Sequence, residues 1–155
     1  MFAALACPSP PPAGALLELA RGFAPRVEEA DPALVLIDLA GLGRLWPDPR
    51  ALGEALCQAG AARGLELQVA LAHTRTAAGL LARAVPGLTI IVPGGEAAAL
   101  APLPLSLLGL PPEQHELLRL WGLRTLGQLA ALPAHGLAER LGPDGPRARR
   151  RARGE

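Results

Sequence analysis

The sequence feature that most constrains the fold is a continuous apolar run, Ala33-Leu-Val-Leu-Ile-Asp-Leu39, which is closed by Gly41. A run of this length with β-branched members and no polar alternation is typical of a strand buried on both faces. Such a strand requires other elements to cover both of its faces. The run therefore predicts a layered fold with a sheet at its centre.

Further strands and helices are predicted after this run, with short connections between them. Asp48 can cap the first helix, and Pro49 suits its first turn. The predicted elements are a helix at Pro49–Gly64, a strand at Leu65–Ala72, a helix from Thr74 or Thr76 through Val85, and a strand at Leu88–Val92. Strands alternating with helices in this way predict an α/β layer.

The sequence has no strand pattern after Val92 and instead predicts short helices that are cut by proline and glycine. These helices are predicted at Glu96–Leu100, Pro104–Leu108, Pro111–Trp121, Thr125–Leu132 and Pro133–Leu141. We therefore expect two domains, an α/β part at residues 1–93 and an all-helical part at residues 94–155.

The segment Leu117–Leu132 predicts two helices joined by a tight turn. Gly122 can adopt the positive φ that ends the first helix, and Thr125 can cap the second. Leu123 is expected to fill the gap between the helices. Such a turn predicts outward backbone N–H groups that bind phosphate, with the Arg124 guanidinium beside them.

The expected DNA-binding residues of this segment are Gly122, Leu123, Arg124, Thr125 and Gly127. The alternative is an αα-hairpin that only packs. Trp121 is expected to pack rather than to stack on a base.

The net charge of +1 creates no global field that would attract a polyanion. Arginines nevertheless crowd the last residues, at positions 147, 149, 150, 151 and 153. Such a run is either a solvated tail or a phosphate-contacting arm. The second interpretation adds Arg149, Arg150 and Arg151 to the expected DNA-binding residues.

Other chemistry finds little support in the sequence. His73, His115 and His135 have no cysteine or carboxylate at metal-ligand spacing, and Cys7 and Cys57 form no metal motif. No apolar run approaches the length of a membrane span, so a soluble, cytoplasmic protein without a membrane partner is expected.

Four segments in order resemble the Y-family translesion DNA polymerases, and in particular the ImuB-type (UmuC-like) branch, whose members lack the catalytic carboxylates. The segments are Phe23–Leu45, Leu67–Ala72, Pro86–Val92 and Leu120–Pro133. The resemblance runs from about Leu16 to the end. It implies a partial polymerase palm (ferredoxin-like β-α-β-α-β) at residues 1–93. It also implies a small all-α thumb with a helix–hairpin–helix and a basic C-terminal tail at residues 94–155.

The resemblance implies that the family's Mg²⁺ site is lost. The family's Asp-Glu pair matches Ala33 and Leu34, which cannot hold a metal, while Asp38 matches an acidic residue four positions later. The family's other metal-binding Asp lies on an N-terminal strand, and residues 1–12 contain no Asp. Among its basic nucleotide-contacting positions, Arg75 keeps one and Gly79 replaces another. No catalytic residue, metal ligand or cofactor is therefore expected.

The resemblance also implies that most of the first palm segment and the fingers are absent, which would leave a sheet edge or an apolar face uncovered. The expected partners are the DNA backbone and, by resemblance, other translesion-repair proteins. These include an error-prone polymerase and the sliding clamp, although the family's clamp-binding peptide lies beyond the thumb.

Three functions follow as hypotheses. The first is a non-catalytic DNA-binding component of DNA repair and mutagenic translesion synthesis, the SOS-type response to DNA damage. The second is an interaction scaffold or gene remnant that does not bind DNA, in which an exposed palm face meets another subunit. The third is an active DNA polymerase that uses other carboxylates.

Overall fold

The computed structural model describes residues 1–155, which divide into two compact units, Met1–Pro93 and Gly94–Glu155. Each unit has buried leucines of its own.

The first unit is a five-stranded mixed sheet with three helices. Its elements are β1 (Phe2–Ala6), α1 (Ala15–Arg21), β2 (Val27–Asp31), β3 (Leu34–Asp38), α2 (Pro49–Ala61), β4 (Gln68–Ala72), α3 (Arg75–Ala84) and β5 (Leu88–Ile90). The strand order is β2-β3-β1-β4-β5. β1 is antiparallel to both β3 and β4, β2 is antiparallel to β3, and β5 is parallel to β4.

The predicted strands and helices between Ala33 and Val92 are confirmed as β3, α2, β4, α3 and β5. Their predicted caps are also present. The Asp48 carboxylate accepts a hydrogen bond from the backbone N–H of Arg50 at 2.9 Å, and the Thr74 hydroxyl accepts one from Ala77 at 3.1 Å. Local signals therefore determine where these helices begin.

The expectation that the first strand is missing is wrong, because Phe2–Ala6 forms the central strand of the sheet. Its register pairs Ala6 with Leu34 on one side and with Gln68 on the other. Ala3, Ala4 and Leu5 are fully buried. Five residues rich in alanine carry little strand preference of their own, so this strand exists because two long-range partners pair with it.

The expected β-α-β-α-β order is also incomplete, because β2 precedes β3 as an antiparallel edge strand. Its charged residues gave no apolar pattern. Glu28 binds Arg75 at 2.7 Å, and Asp31 forms an ion pair with Arg83, so both carboxylates pair with α3. An edge strand with one solvated side tolerates such charges.

Helices cover both faces of this sheet. On one face, leucines of α1 and α2 pack against alternate residues of the central strands, including Leu5, Val35 and Ile37. On the other face, α3 packs against β1 and β4, and Gly79 lies close to Leu34 and Leu36. The interpretation of an uncovered apolar face is therefore wrong.

The second unit is entirely helical. It contains α4 (Glu96–Leu100), a 3-10 helix (Leu105–Leu108), α5 (Pro112–Leu120), α6 (Leu126–Ala131), α7 (Ala134–Leu141) and α8 (Asp144–Ala152). Leu100, Leu105, Leu108, Leu118, Leu126, Leu129 and Leu137 are all buried. None of the helices in either unit is long and apolar enough to cross a membrane.

The prediction of a basic C-terminal tail is wrong, because these residues form α8. Ala148 and Ala152 are buried, and α8 packs against α6 and α7. A Cβ on Gly145 would lie 2.5 Å from the Leu137 carbonyl oxygen, so α8 approaches α7 closely at that point. Two alanines and a glycine were too weak an apolar stripe to reveal this face among the four arginines of α8.

Candidate nucleic-acid interface

The turn between α5 and α6 has the backbone geometry that the sequence predicted. Gly122 adopts φ +82°, a conformation that glycine accepts readily. Its N–H donates to the Arg119 carbonyl at 3.0 Å, and the N–H of Leu123 donates to the Leu118 carbonyl at 3.0 Å. These bonds satisfy two of the last carbonyl groups of α5.

Thr125 caps α6 as predicted and does so as half of a capping box. Its hydroxyl accepts from the N–H of Gln128 at 3.3 Å, and the Gln128 side-chain oxygen accepts from the N–H of Thr125 at 3.1 Å. The same oxygen accepts from the N–H of Arg124 at 2.6 Å. Gln128 was not among the predicted residues, although a Gln three positions after a Thr is a recognised sign of a capping box.

The expectation that the N–H groups of this turn face outward for phosphate is wrong. Leu126 donates to the Leu103 carbonyl at 2.8 Å, and Gly127 donates to the Ala101 carbonyl at 3.0 Å. With the N–H groups of Arg124, Thr125 and Gln128 also bonded, the whole start of α6 is satisfied internally. The segment that follows α4 lies where a phosphate was expected. The sequence around the turn could not predict this contact, because the segment is more than twenty residues away in the chain.

Gly127 is a packing residue in this arrangement. A Cβ at this position would lie 2.8 Å from the Ala101 Cβ, so only glycine allows α6 to approach the preceding segment this closely. Its N–H is already bonded to the Ala101 carbonyl and is therefore not available for the predicted contact with DNA.

Arg124 is exposed and has no carboxylate partner. Its guanidinium donates to the carbonyl oxygens of Arg119 at 2.8 Å and Leu123 at 3.1 Å. These bonds fix the side chain at the end of α5 without neutralising its charge. Arg119, by contrast, binds Glu116 through two hydrogen bonds of 2.7 Å each, which lower the pKa of Glu116 and raise that of Arg119.

The arginines of α8 have different environments. Arg149 is partly buried and donates to the Leu132 carbonyl at 2.7 Å, which is a structural contact. Arg147 and Arg153 form ion pairs with Asp144 and Glu155, at 3.4 Å and 3.2 Å. Arg150 and Arg151 are exposed and make no ion pair or side-chain hydrogen bond. Their charges, with that of Arg124, are available to an anion.

Sequence reasoning did not anticipate Arg140, which lies on α7. Its guanidinium carbon is 5.3 Å from the centre of the Trp121 ring, in a cation–π contact. The two residues are separated by most of α6 and α7, so no local spacing could have revealed the contact.

In the first unit, two positions that the resemblance matched to family ligands, Leu34 and Gly79, lie close together, and β1 borders them. Ala6 is paired with Leu34, and the N–H of Cys7 donates to the Ala33 carbonyl at 3.1 Å. A Cβ on Gly79 would lie 3.7 Å from a Leu34 methyl group. These side chains carry no oxygen ligand, and nowhere in the structure do three His, Cys, Asp or Glu residues converge on a possible metal position.

The other two matched positions, Asp38 at the end of β3 and Arg75 at the start of α3, lie near Phe2 and away from Leu34. Asp38 is paired with Phe2, forms an ion pair with Arg26 at 3.4 Å and accepts from the N–H of Ala40 at 2.9 Å. Arg75 is held by Glu28. Both residues are therefore engaged in contacts that stabilise the loop and the edge strand.

Comparison with curated proteins gives matches to proteins named ImuB and DNA polymerase IV, although no protein-family model matches the sequence. The chain is 38% identical over 121 residues to protein ImuB of Caulobacter vibrioides, covering 77% of this chain and 26% of the relative. It is 30% identical over 133 residues to DNA polymerase IV 2 of Mesorhizobium japonicum, covering 83% of this chain and 32% of the relative. The chain thus spans about a quarter to a third of the length of these relatives.

Solved structures share the fold at low sequence identity. DinB from Sulfolobus solfataricus superposes with a TM-score of 0.66 at 16% identity, over 88% of this chain and 42% of that one. A DinB family error-prone DNA polymerase from the same organism gives a TM-score of 0.68 at 15% identity, over 90% and 45%. An insertion ternary complex of Dbh DNA polymerase gives 0.66 at 17% identity, over 88% and 42%.

The sequence and fold matches agree with each other and with the resemblance read from the four segments. The chain is a Y-family polymerase-like, ImuB-type protein that spans part of the length of its relatives.

Proposed function

We propose that this chain is a non-catalytic DNA-binding component of DNA repair and translesion synthesis, with a palm-like first unit and a thumb-like second unit. The observation that carries the proposal is the apolar character of Ala33 and Leu34, which occupy the positions that the resemblance matches to the family's Asp-Glu pair, with Ala6 paired to Leu34 across the sheet. A protein with this fold and without those ligands retains surfaces that hold DNA for chemistry performed elsewhere.

The absence of catalysis is argued from the chemistry of these side chains. Two-metal nucleotidyl transfer needs carboxylate oxygens that clamp both ions. Leu34 is 4% exposed and lies under α3, so there is neither an oxygen ligand nor room for a hydrated ion at that position. Asp38 cannot substitute, since its register places it four residues along β3 from Leu34.

DNA binding is argued from the free cations of the second unit. Because the N–H groups at the start of α6 are satisfied internally, we assign phosphate contact to guanidinium groups, namely those of Arg124, Arg150 and Arg151. Such contacts hold the DNA backbone and do not read sequence. In this proposal the α5–α6 turn corresponds, by resemblance, to the family's helix–hairpin–helix, and it serves to position Arg124.

By the same resemblance, we propose that an error-prone polymerase supplies the chemistry. Contact with the sliding clamp stays a prediction for the corresponding region of longer relatives. The scaffold hypothesis expected an exposed face of the sheet that meets another subunit. Because α3 packs against β1 and β4, that face is not available in this unit.

A gel-shift titration with primed or gapped DNA at two salt concentrations tests DNA binding. The variant Arg150→Glu/Arg151→Glu removes two partnerless cations of α8. Its control is Arg44→Glu/Arg63→Glu, which changes the net charge equally at two exposed, unpaired arginines of the first unit. We expect the α8 variant alone to lose affinity and to reduce the slope of log K against log salt by about two.

Equal loss in both double variants would show only a net-charge effect and would contradict the assignment to α8. Affinity that does not change with salt would contradict phosphate contact altogether. Gly122→Val is unsuitable as a probe, because the positive φ of Gly122 would strain the turn whatever it binds.

A further inference from the structure

The second unit contains an apolar cavity of about 330 Å³ that the proposed phosphate contacts do not use. Its lining residues come from the segments that precede and follow α6 in the chain. They include Trp121, Leu123, Leu132, Pro133, Leu137 and Arg140. The volume is near the lower end of the range for small-ligand sites.

Arg140 is the one charged residue that lines this cavity, and its charge is not neutralised. The neighbouring Glu139 binds His135 at 3.2 Å. Arg140 itself makes no ion pair and lies over the Trp121 ring. A ligand that brings both an apolar ring and an anion would match this pair of side chains better than a neutral apolar group would.

The cavity is continuous with the candidate DNA surface. Leu123 lines it and is followed directly by Arg124, whose guanidinium is fixed by two backbone carbonyls. Leu132 also lines the cavity, and the Arg149 side chain donates to its carbonyl oxygen at 2.7 Å. Leu123 and Leu132 of the cavity lining are thus positioned by the α5–α6 turn and by α8, the two segments assigned to phosphate contact.

We propose that this cavity accepts one unpaired nucleobase of single-stranded DNA. The base contacts Trp121, Arg140 and the leucine side chains, while its flanking phosphates lie beside Arg140 and Arg124. Stacking on an aromatic ring and on a guanidinium is indifferent to sequence, as befits a protein that follows gapped or damaged DNA. This inference rests on the proposed DNA binding. It adds that DNA with an unpaired base is preferred.

Trp121 provides a direct measurement, because the chain has only one other tryptophan. In a Trp46→Phe background, the full chain is titrated with an oligothymidylate of about ten nucleotides. A strand of equal length made of abasic sites is the matched control, since it carries the phosphates alone. We expect the thymidine strand to quench Trp121 fluorescence and to bind roughly tenfold more tightly than the abasic strand.

Two variants separate the base from the phosphates. Trp121→Leu is expected to remove the preference for the thymidine strand while both strands still bind. Leu120→Ala is the control, because Leu120 is 70% exposed and lies outside the cavity lining. Gel shifts with the native Trp46 repeat the comparison in case Trp46→Phe fails to fold.

Equal affinity for the two strands would overturn the base inference and leave phosphate binding intact. Failure of the folded chain to bind either strand would overturn both. Displacement of the thymidine strand by an acidic, leucine-containing peptide that quenches Trp121 more strongly would reassign the cavity to a protein partner and overturn the inference.

Discussion

At the scale of single residues, Leu34 occupies a position that the resemblance matches to a metal ligand. It is buried beneath α3, and its neighbours across the sheet and on the helix are Ala6 and Gly79. Small and apolar side chains therefore surround this position. A single substitution would not create a metal site there.

We expect Leu34→Glu to lower the free energy of unfolding by about 3 kcal/mol or more, because it buries a carboxylate without a partner. Leu34→Met, which conserves volume, should cost less than about 1.5 kcal/mol. Urea unfolding followed by circular dichroism measures both values. A glutamate variant as stable as the methionine variant would mean that Leu34 is not enclosed.

The two cysteines offer a pH-dependent measurement of the first unit. Burial raises the pKa of Cys7 and of Cys57, with a smaller contribution from Glu66 and Glu54, respectively. A raised pKa leaves less thiolate at any given pH, so alkylation by iodoacetamide should be slower than in the urea-unfolded chain. The difference should narrow as the pH rises through the raised pKa values. Equal rates at neutral pH in both states would contradict this environment.

At the scale of elements, the start of α6 shows that a motif predicted to bind phosphate stabilises the turn instead. Sequence signals correctly gave Gly122 and Thr125 their backbone roles. The same signals suggested free N–H groups, and these are bonded to Gln128 and to the segment after α4. The motif therefore stabilises the turn that carries Arg124.

Gln128→Ala tests this division of roles. It removes the acceptor of the Arg124 and Thr125 N–H groups, and we expect a loss of about 1 kcal/mol in the free energy of unfolding. DNA affinity should not fall in proportion, because the guanidinium contacts remain and two N–H groups become available to phosphate. Thermal unfolding and gel shifts on the same samples measure both, with Gln58→Ala, an exposed glutamine on α2, as the control. A tenfold loss of affinity with unchanged stability would assign Gln128 itself to the DNA contact.

The elements that sequence reasoning missed share a physical cause. β1 is short and rich in alanine, β2 is charged, and α8 is dominated by arginine. None has an apolar pattern strong enough to be recognised in isolation. β1 is paired on both sides by strands from distant parts of the chain, β2 pairs with the neighbouring strand β3 while its carboxylates bind α3, and α8 packs against α6 and α7.

At the scale of the whole molecule, the fold matches polymerases while the side chains at the expected metal position do not. We expect the chain to incorporate no nucleotide in primer extension with either magnesium or manganese. A bacterial DNA polymerase IV on the same template is the positive control. Incorporation that disappears in Asp38→Ala would show that an acidic residue outside the expected position supports catalysis.

The sequence by itself determined the α/β character of the first unit, the helical character of the second, the caps of α2 and α3, and the resemblance to Y-family polymerases. These properties depend on neighbours along the chain, through hydrophobic period, capping and glycine geometry. Only the tertiary structure decided that Phe2–Ala6 is the central strand and that the N–H groups of the α5–α6 turn are occupied. It also decided that Arg140 lies over Trp121, because all three depend on segments that are distant in the chain and meet only when it folds.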